Sequence, residues 1–174
     1  MKPLAVLIPA IDKKIITGAS IVEDTQTSFK NGNDKSYSPK NIDGYLGNVT
    51  LRRALESSQN IPFVRIMEKI SPSTSIKYLK NMGITTLTDG DANLALALGG
   101  IERGISPLEM AAAYATIAND GVYIEPVFYS KVTTSDGLVF LESKQKTKKV
   151  FSKSVAYVVK QLLTRTSTRR KWNS

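Results

Sequence analysis

From Leu4 to Ile11 the chain is apolar at nearly every position, interrupted only by Pro9. Such a run predicts a helix buried on most sides, not a surface helix with one apolar stripe. Pro3 suits its first turn, where a missing amide costs little. From Thr17 to Asn48 the sequence turns polar and rich in Gly, Asn, Asp and Ser with no sustained period, which predicts loops and short extended pieces. A long stretch of that kind in a compact domain is either functional or disordered.

Periodicity then returns. Thr50 caps a short helix over Leu51 to Glu56, and a second begins near Ile61-Pro62 and carries Phe63, Val64, Ile66, Met67 and Ile70. The connection between them is Ser57-Ser58-Gln59-Asn60. A third helix over about Ser73 to Met82 places Ile76, Leu79 and Met82 on one face, with Gly83 where a left-handed residue is wanted. Ser106-Pro107-Leu108-Glu109 is a strong helix start, with a capping Ser, a Pro in the first turn and a Glu three after the cap. The alanine-rich helix from Leu108 to Asn119 stops at Asp120-Gly121. Phe128 to Thr134 and Leu138 to Ser143 flank Ser135-Asp136-Gly137 and predict a β-hairpin. A last helix covers Lys153 to Thr164, after which the apolar period fails. The expected organisation is therefore one domain over residues 1–164 and a disordered basic tail over 165–174.

Composition narrows the chemistry. There is neither Cys nor His, which removes disulfides, thiol nucleophiles, Ser-His-Asp triads and Cys- or His-ligated metal sites, and no cofactor is implied. Acid-base work must run on Lys, Tyr, Asp or Glu. The net charge of +9 favours anionic neighbours in general. Its late concentration, in Lys144 to Lys149 and Arg165 to Lys171, is most simply a solvated surface. Nucleic acid ranks behind that reading because aromatic residues do not interleave the run. The opening run ends on Asp12-Lys13-Lys14, lacks a small-x-small cleavage site and is too short to span a bilayer, so neither a signal peptide nor a membrane anchor is expected.

Three stretches, in order, resemble the transpeptidase domain of class A-type, bifunctional penicillin-binding proteins, of the serine β-lactamase-like superfamily. They are Tyr37-Ser38-Pro39-Lys40-Asn41 with Gly47-Asn48-Val49-Thr50-Leu51-Arg52, then Ala54-Leu55 leading to Ser58-Gln59-Asn60-Ile61-Pro62, and finally Ala97-Leu98-Gly99-Gly100 through Ser106-Pro107-Leu108-Glu109-Met110 to Ala118-Asn119-Asp120-Gly121. The resemblance implies an α/β (α+β) fold, a partial penicillin-binding-protein/β-lactamase-like transpeptidase fold represented mostly by its helical part plus a β-hairpin.

In that family a Ser-x-x-Lys motif opens a buried helix, and the motif lysine is commonly trailed by Pro and an apolar run. Lys2-Pro3-Leu4-Ala5-Val6 looks like that lysine and its apolar run. The motif serine would then precede Met1. No Lys-Thr-Gly, the family's third motif, occurs in the sequence. The chain thus reads as a piece of the domain truncated at both ends and not expected to turn over substrate alone.

What the resemblance implies for single residues is that Lys2 is the motif lysine, Ser58 a proton-shuttling hydroxyl, and Asn60 an amide contacting substrate and Lys2. Tyr37 and Asn41 either line the cleft or anchor the loop. Ser and Asn between two helices are also ordinary turn and capping residues, so the flanking context carries the functional reading. Ser143-Lys144-Gln145-Lys146 repeats the Ser-x-x-Lys spacing in a lysine-rich strand end, where a solvated lysine makes a poor base.

The implied partners are peptidoglycan stem peptides, β-lactams and the missing parts of the same domain, at the extracytoplasmic face of a bacterial membrane. The competing reading is a noncatalytic basic module binding an anionic polymer. A piece of this kind is expected to show open strand edges and apolar surface.

Overall fold

The computed structural model describes residues 1–30 and 36–168. A π-helical turn, Lys2–Leu7, runs directly into α1 (Ile8–Asp12), and Pro3 to Ala10 are all buried. Pro9 explains the wide turn. It has no N–H to give to the Ala5 carbonyl, the usual partner one helical turn back, and its ring crowds that carbonyl. The buried Ser75 hydroxyl donates to Ala5 O instead, at 2.5 Å.

The polar stretch folds as short antiparallel pairs. Strand β1 (Ile21–Asp24) pairs with β4 (Gly47–Thr50), and β2 (Phe29–Lys30) with β3 (Ser36–Tyr37). In β1 every second residue, Val22 and Asp24, points inward. Helices α2 (Leu51–Glu56), α3 (Ile61–Ile70) and α4 (Pro72–Asn81) come next. The Thr50 hydroxyl caps α2 by accepting from Arg53 N, and Gly83, at φ 87°, turns the chain after α4. Two 3-10 turns, Asp89–Asp91 and Leu94–Leu98, lead to α5 (Pro107–Ala118). The Ser106–Glu109 capping box forms as its sequence predicts, and Glu109 also accepts from Thr85 N and Oγ1. These bonds hold the Glu109 carboxyl down at about 2.

Beyond α5, β5 (Val122–Ile124) pairs with β8 (Thr147–Lys149), enclosing the hairpin β6 (Lys131–Thr133) and β7 (Val139–Glu142). The hairpin is shorter than its sequence signal, and the β5–β8 pair has no counterpart in the sequence pattern. Helix α6 spans Lys153–Thr168, so a boundary after Thr164 falls inside a helix. The rest of the expected tail, residues 169–174, lies outside the described residues.

The core is one cluster in which the π-helical turn, α1, α3 and α4 meet. Leu4, Leu7, Phe63, Met67, Leu79 and Met82 are fully buried there. Asp120 fastens α6 to the end of α5 through Lys160 at 2.7 Å and Lys153 at 3.2 Å. No described helix is long and apolar enough to cross a membrane.

Candidate active site

The buried helix presents Lys2 at its start to the turn between α2 and α3. Lys2 Nζ donates to Ser58 O at 2.6 Å and to Ser58 Oγ at 3.1 Å, and lies 5.4 Å from the centre of the Phe63 ring. Burial lowers Lys2 from the ordinary lysine value to about 8. The same burial, reinforced by the Lys2 charge, lowers the Met1 amine. A lysine so placed is part-neutral near physiological pH and can accept a proton, which a solvated lysine cannot do.

Ser58 has φ 52°, in the left-handed region that a non-glycine residue occupies only at a cost. That conformation lets the carbonyl and the hydroxyl of one residue both reach Lys2. The backbone strain is offset by the bonds around the turn.

Asn60 behaves differently from its expected role. Its side chain does not reach Lys2; Nδ2 donates to Lys40 O at 2.8 Å, and the Ser58 carbonyl takes the place at Lys2. The physical reason is the bend at Ser58, which turns Asn60 towards the loop of residues 40–46. Asn41, from that loop, accepts at Oδ1 from Asn60 N (2.7 Å) and Ile61 N (3.3 Å), and donates through Nδ2 to Asp24 Oδ1 (2.7 Å) and Gly44 O (2.9 Å). Asn41 is thereby tied both to its own loop and to the start of α3. Tyr37 is half-buried against the core, and burial raises its hydroxyl pKa.

Two further residues contribute, Gly99 from the third of the resembling stretches and Asp24, which carries no sequence signal of its own. Asp24 is fully buried beneath the loop. Gly99, at φ 95°, closes over Met1, with room for only a strained side chain: a Cβ there would lie 3.2 Å from Met1 Cγ. The Ser143–Lys146 repeat takes no part in this arrangement; Lys146 is exposed and pairs with Glu125 at 3.7 Å.

A buried helix opening on a lysine meets a Ser-x-Asn turn, the juxtaposition that the sequence resemblance implies. The family model for the penicillin binding protein transpeptidase domain matches residues 1–172, and the chain belongs to that family. It is 39% identical over 163 residues to penicillin-binding protein 1F of Bacillus subtilis, covering 93% of this chain and 22% of that relative. Penicillin-binding protein 1A from Haemophilus influenzae shares the fold with a TM-score of 0.81 at 24% identity, over 98% of this chain and 29% of the other. Penicillin-binding protein A of M. tuberculosis, solved as an imipenem acyl-enzyme complex, superposes with a TM-score of 0.73 at 17% identity, over 96% of this chain and 43% of that one. The chain spans about a fifth of the length of the curated relatives it matches. An unrelated basic module finds no support in these matches.

Proposed function

We propose that this chain carries the middle of a D,D-transpeptidase active site acting on peptidoglycan stem peptides at the extracytoplasmic face of the bacterial membrane, and acylated there by β-lactams. The observation that carries the reading is the Lys2–Ser58 pair, a lysine of lowered pKa 3.1 Å from a hydroxyl. Acyl transfer needs a serine relieved of its proton and a route for returning that proton to the leaving group. In this reading the nucleophile stands three residues before Lys2, outside the sequence. Lys2 accepts its proton, Ser58 Oγ passes it on, and Asn60 offers its amide to the substrate backbone. Asn60 Oδ1 has no hydrogen-bond partner among the described residues and faces that task unencumbered.

The test uses a fluorescent penicillin. The present chain should not be labelled. A chain extended upstream to supply the serine and downstream to supply Lys-Thr-Gly should be labelled, and Lys2→Ala in it should slow labelling about 10²- to 10⁴-fold, the usual worth of a positioned proton acceptor. Labelling of the present chain at any serine, or an inert extended chain, would overturn the reading.

A further inference from the structure

Asp24 is the least expected residue near the turn. It is fully buried, lies on β1, and among the described residues is held by hydrogen bonds alone, from Asn41 Nδ2 to Oδ1 at 2.7 Å and from Leu46 N to Oδ2 at 3.0 Å. A buried carboxylate without a cation is costly unless each oxygen meets a donor. A reason for retaining one lies in its polarity, because an ionised carboxylate only accepts.

That polarity propagates. Both Asp24 oxygens act as acceptors, so Asn41 turns its NH₂ towards Asp24 and its carbonyl away. The carbonyl then meets Asn60 N and Ile61 N, the first free amides of α3. Both hydrogens and both lone pairs of the Asn41 amide are thereby engaged, the second hydrogen on Gly44 O. Asn60 forms no cap with its own side chain, so the start of α3 is fixed from a distant loop. The fixed point lies two residues from Ser58, whose carbonyl and hydroxyl hold Lys2.

We propose that Asp24 and Asn41 are positioning residues of the acylation site: the carboxylate sets the orientation of the Asn41 amide, and the amide holds the Ser58–Asn60 turn against Lys2. The value of that turn to catalysis rests on the transpeptidase reading above; the positioning itself can be measured in the present chain.

The experiment tracks the titration of Lys2 by NMR of lysine-labelled protein, with amide exchange at Asn60 and Ile61 as a second readout. Asp24→Asn and Asn41→Ala each break the relay. As the turn loosens and water reaches Lys2, its midpoint should rise from near 8 by about one unit or more. The direction is diagnostic, since loss of a nearby anion by itself would lower the midpoint. Asn41→Ala should also speed exchange at the two amides at least about tenfold.

The double variant Asp24→Asn/Asn41→Asp reverses the polarity of the pair. It presents a carboxylate to the α3 amides and an amide to Leu46 N, with loss of the Gly44 bond, and should bring the Lys2 midpoint back to within about half a unit of the unsubstituted chain. A merely structural role would lower the melting temperature and leave the midpoint in place. An unmoved or falling midpoint in the single variants, or a swap that does not restore it, overturns the proposal. Should the single variants not fold, the swap decides: folded with the original midpoint supports the relay, and unfolded overturns it. None of these readouts involves acylation, so a failed penicillin experiment would leave them standing.

Discussion

The body from Lys2 to Ile117 and the ribbon from Val127 to Lys149 use their apolar residues in opposite ways. In the body they converge on one cluster in which Phe63, Leu4 and Met67 are wholly enclosed. In the ribbon Phe128 is 91% exposed, Phe140 70% and Leu138 66%, and every residue of β6 and β7 faces solvent. A two-stranded hairpin with neither face covered is marginal alone. The body buries its apolar residues in one cluster and also holds Lys2 and Ser58, while the ribbon is defined by its turn and its ladder. The Lys2–Ser58 pair lies within the body and not on the ribbon.

The strongest way to break that contrast is at Phe63, which is fully buried and also lies under Lys2. Phe63→Ala should cost about 3–5 kcal/mol by cavity formation and lost transfer energy, read by denaturant unfolding. A cost below about 1 kcal/mol would mean that the body is not the stabilising half.

A smaller effect comes from pH. Lys2 has a folded value of about 8 against 10.5 for an ordinary lysine. Between those values the unfolded chain holds the extra proton, so stability should rise with pH across that window, and the cost of the buried charge is fully present below it. The lowered Met1 amine acts in the same sense at lower pH. Lys2→Met should flatten the Lys2 part of that rise and stabilise the chain at neutral pH by up to about 1 kcal/mol after solvent screening of the half-buried group. Stability that falls between pH 8 and 10 in the unsubstituted chain would contradict the burial of Lys2.

The smallest effect belongs to the ribbon. Phe140→Ser should change unfolding free energy by less than about 0.5 kcal/mol, as surface substitutions do, read by denaturant unfolding. A large destabilisation would show that the ribbon is packed after all.

The parts of the fold legible in the sequence are those with local punctuation. Thr50, the Ser106–Glu109 box and Gly83 mark helix ends by capping chemistry that acts over three or four residues, and α2, α4 and α5 lie where those signals place them. Strand β8 is illegible because Thr147-Lys148-Lys149 carries no apolar alternation; its partner β5 supplies the register. Helix α6 outruns its apolar period, continuing to Thr168 where neither a glycine nor a proline in the sequence marks an earlier end. At the site, neighbouring motifs identify Lys2 and Ser58, and the structure brings them together. The exchange of Asn60 for the Ser58 carbonyl at Lys2 depends on one positive φ, which no residue type announces when the residue is Ser. Asp24 is silent for a similar reason. In a polar stretch without a period an Asp looks like a loop residue, and only the pairing of β1 with β4 turns it inward.

The capping of α3 by Asn41 makes the Ser58–Asn60 turn a non-modular object. Residues 51–70 cut out as a peptide would contain both helices and the whole Ser-Gln-Asn sequence, yet would lose the Lys2, Lys40 and Asn41 groups that bond to Ser58 and Asn60. Grafting the motif onto another helical hairpin would transfer the letters without the geometry. The turn's shape is written across residues from Lys2 to Asn60, with Asn41 tied in turn to Asp24.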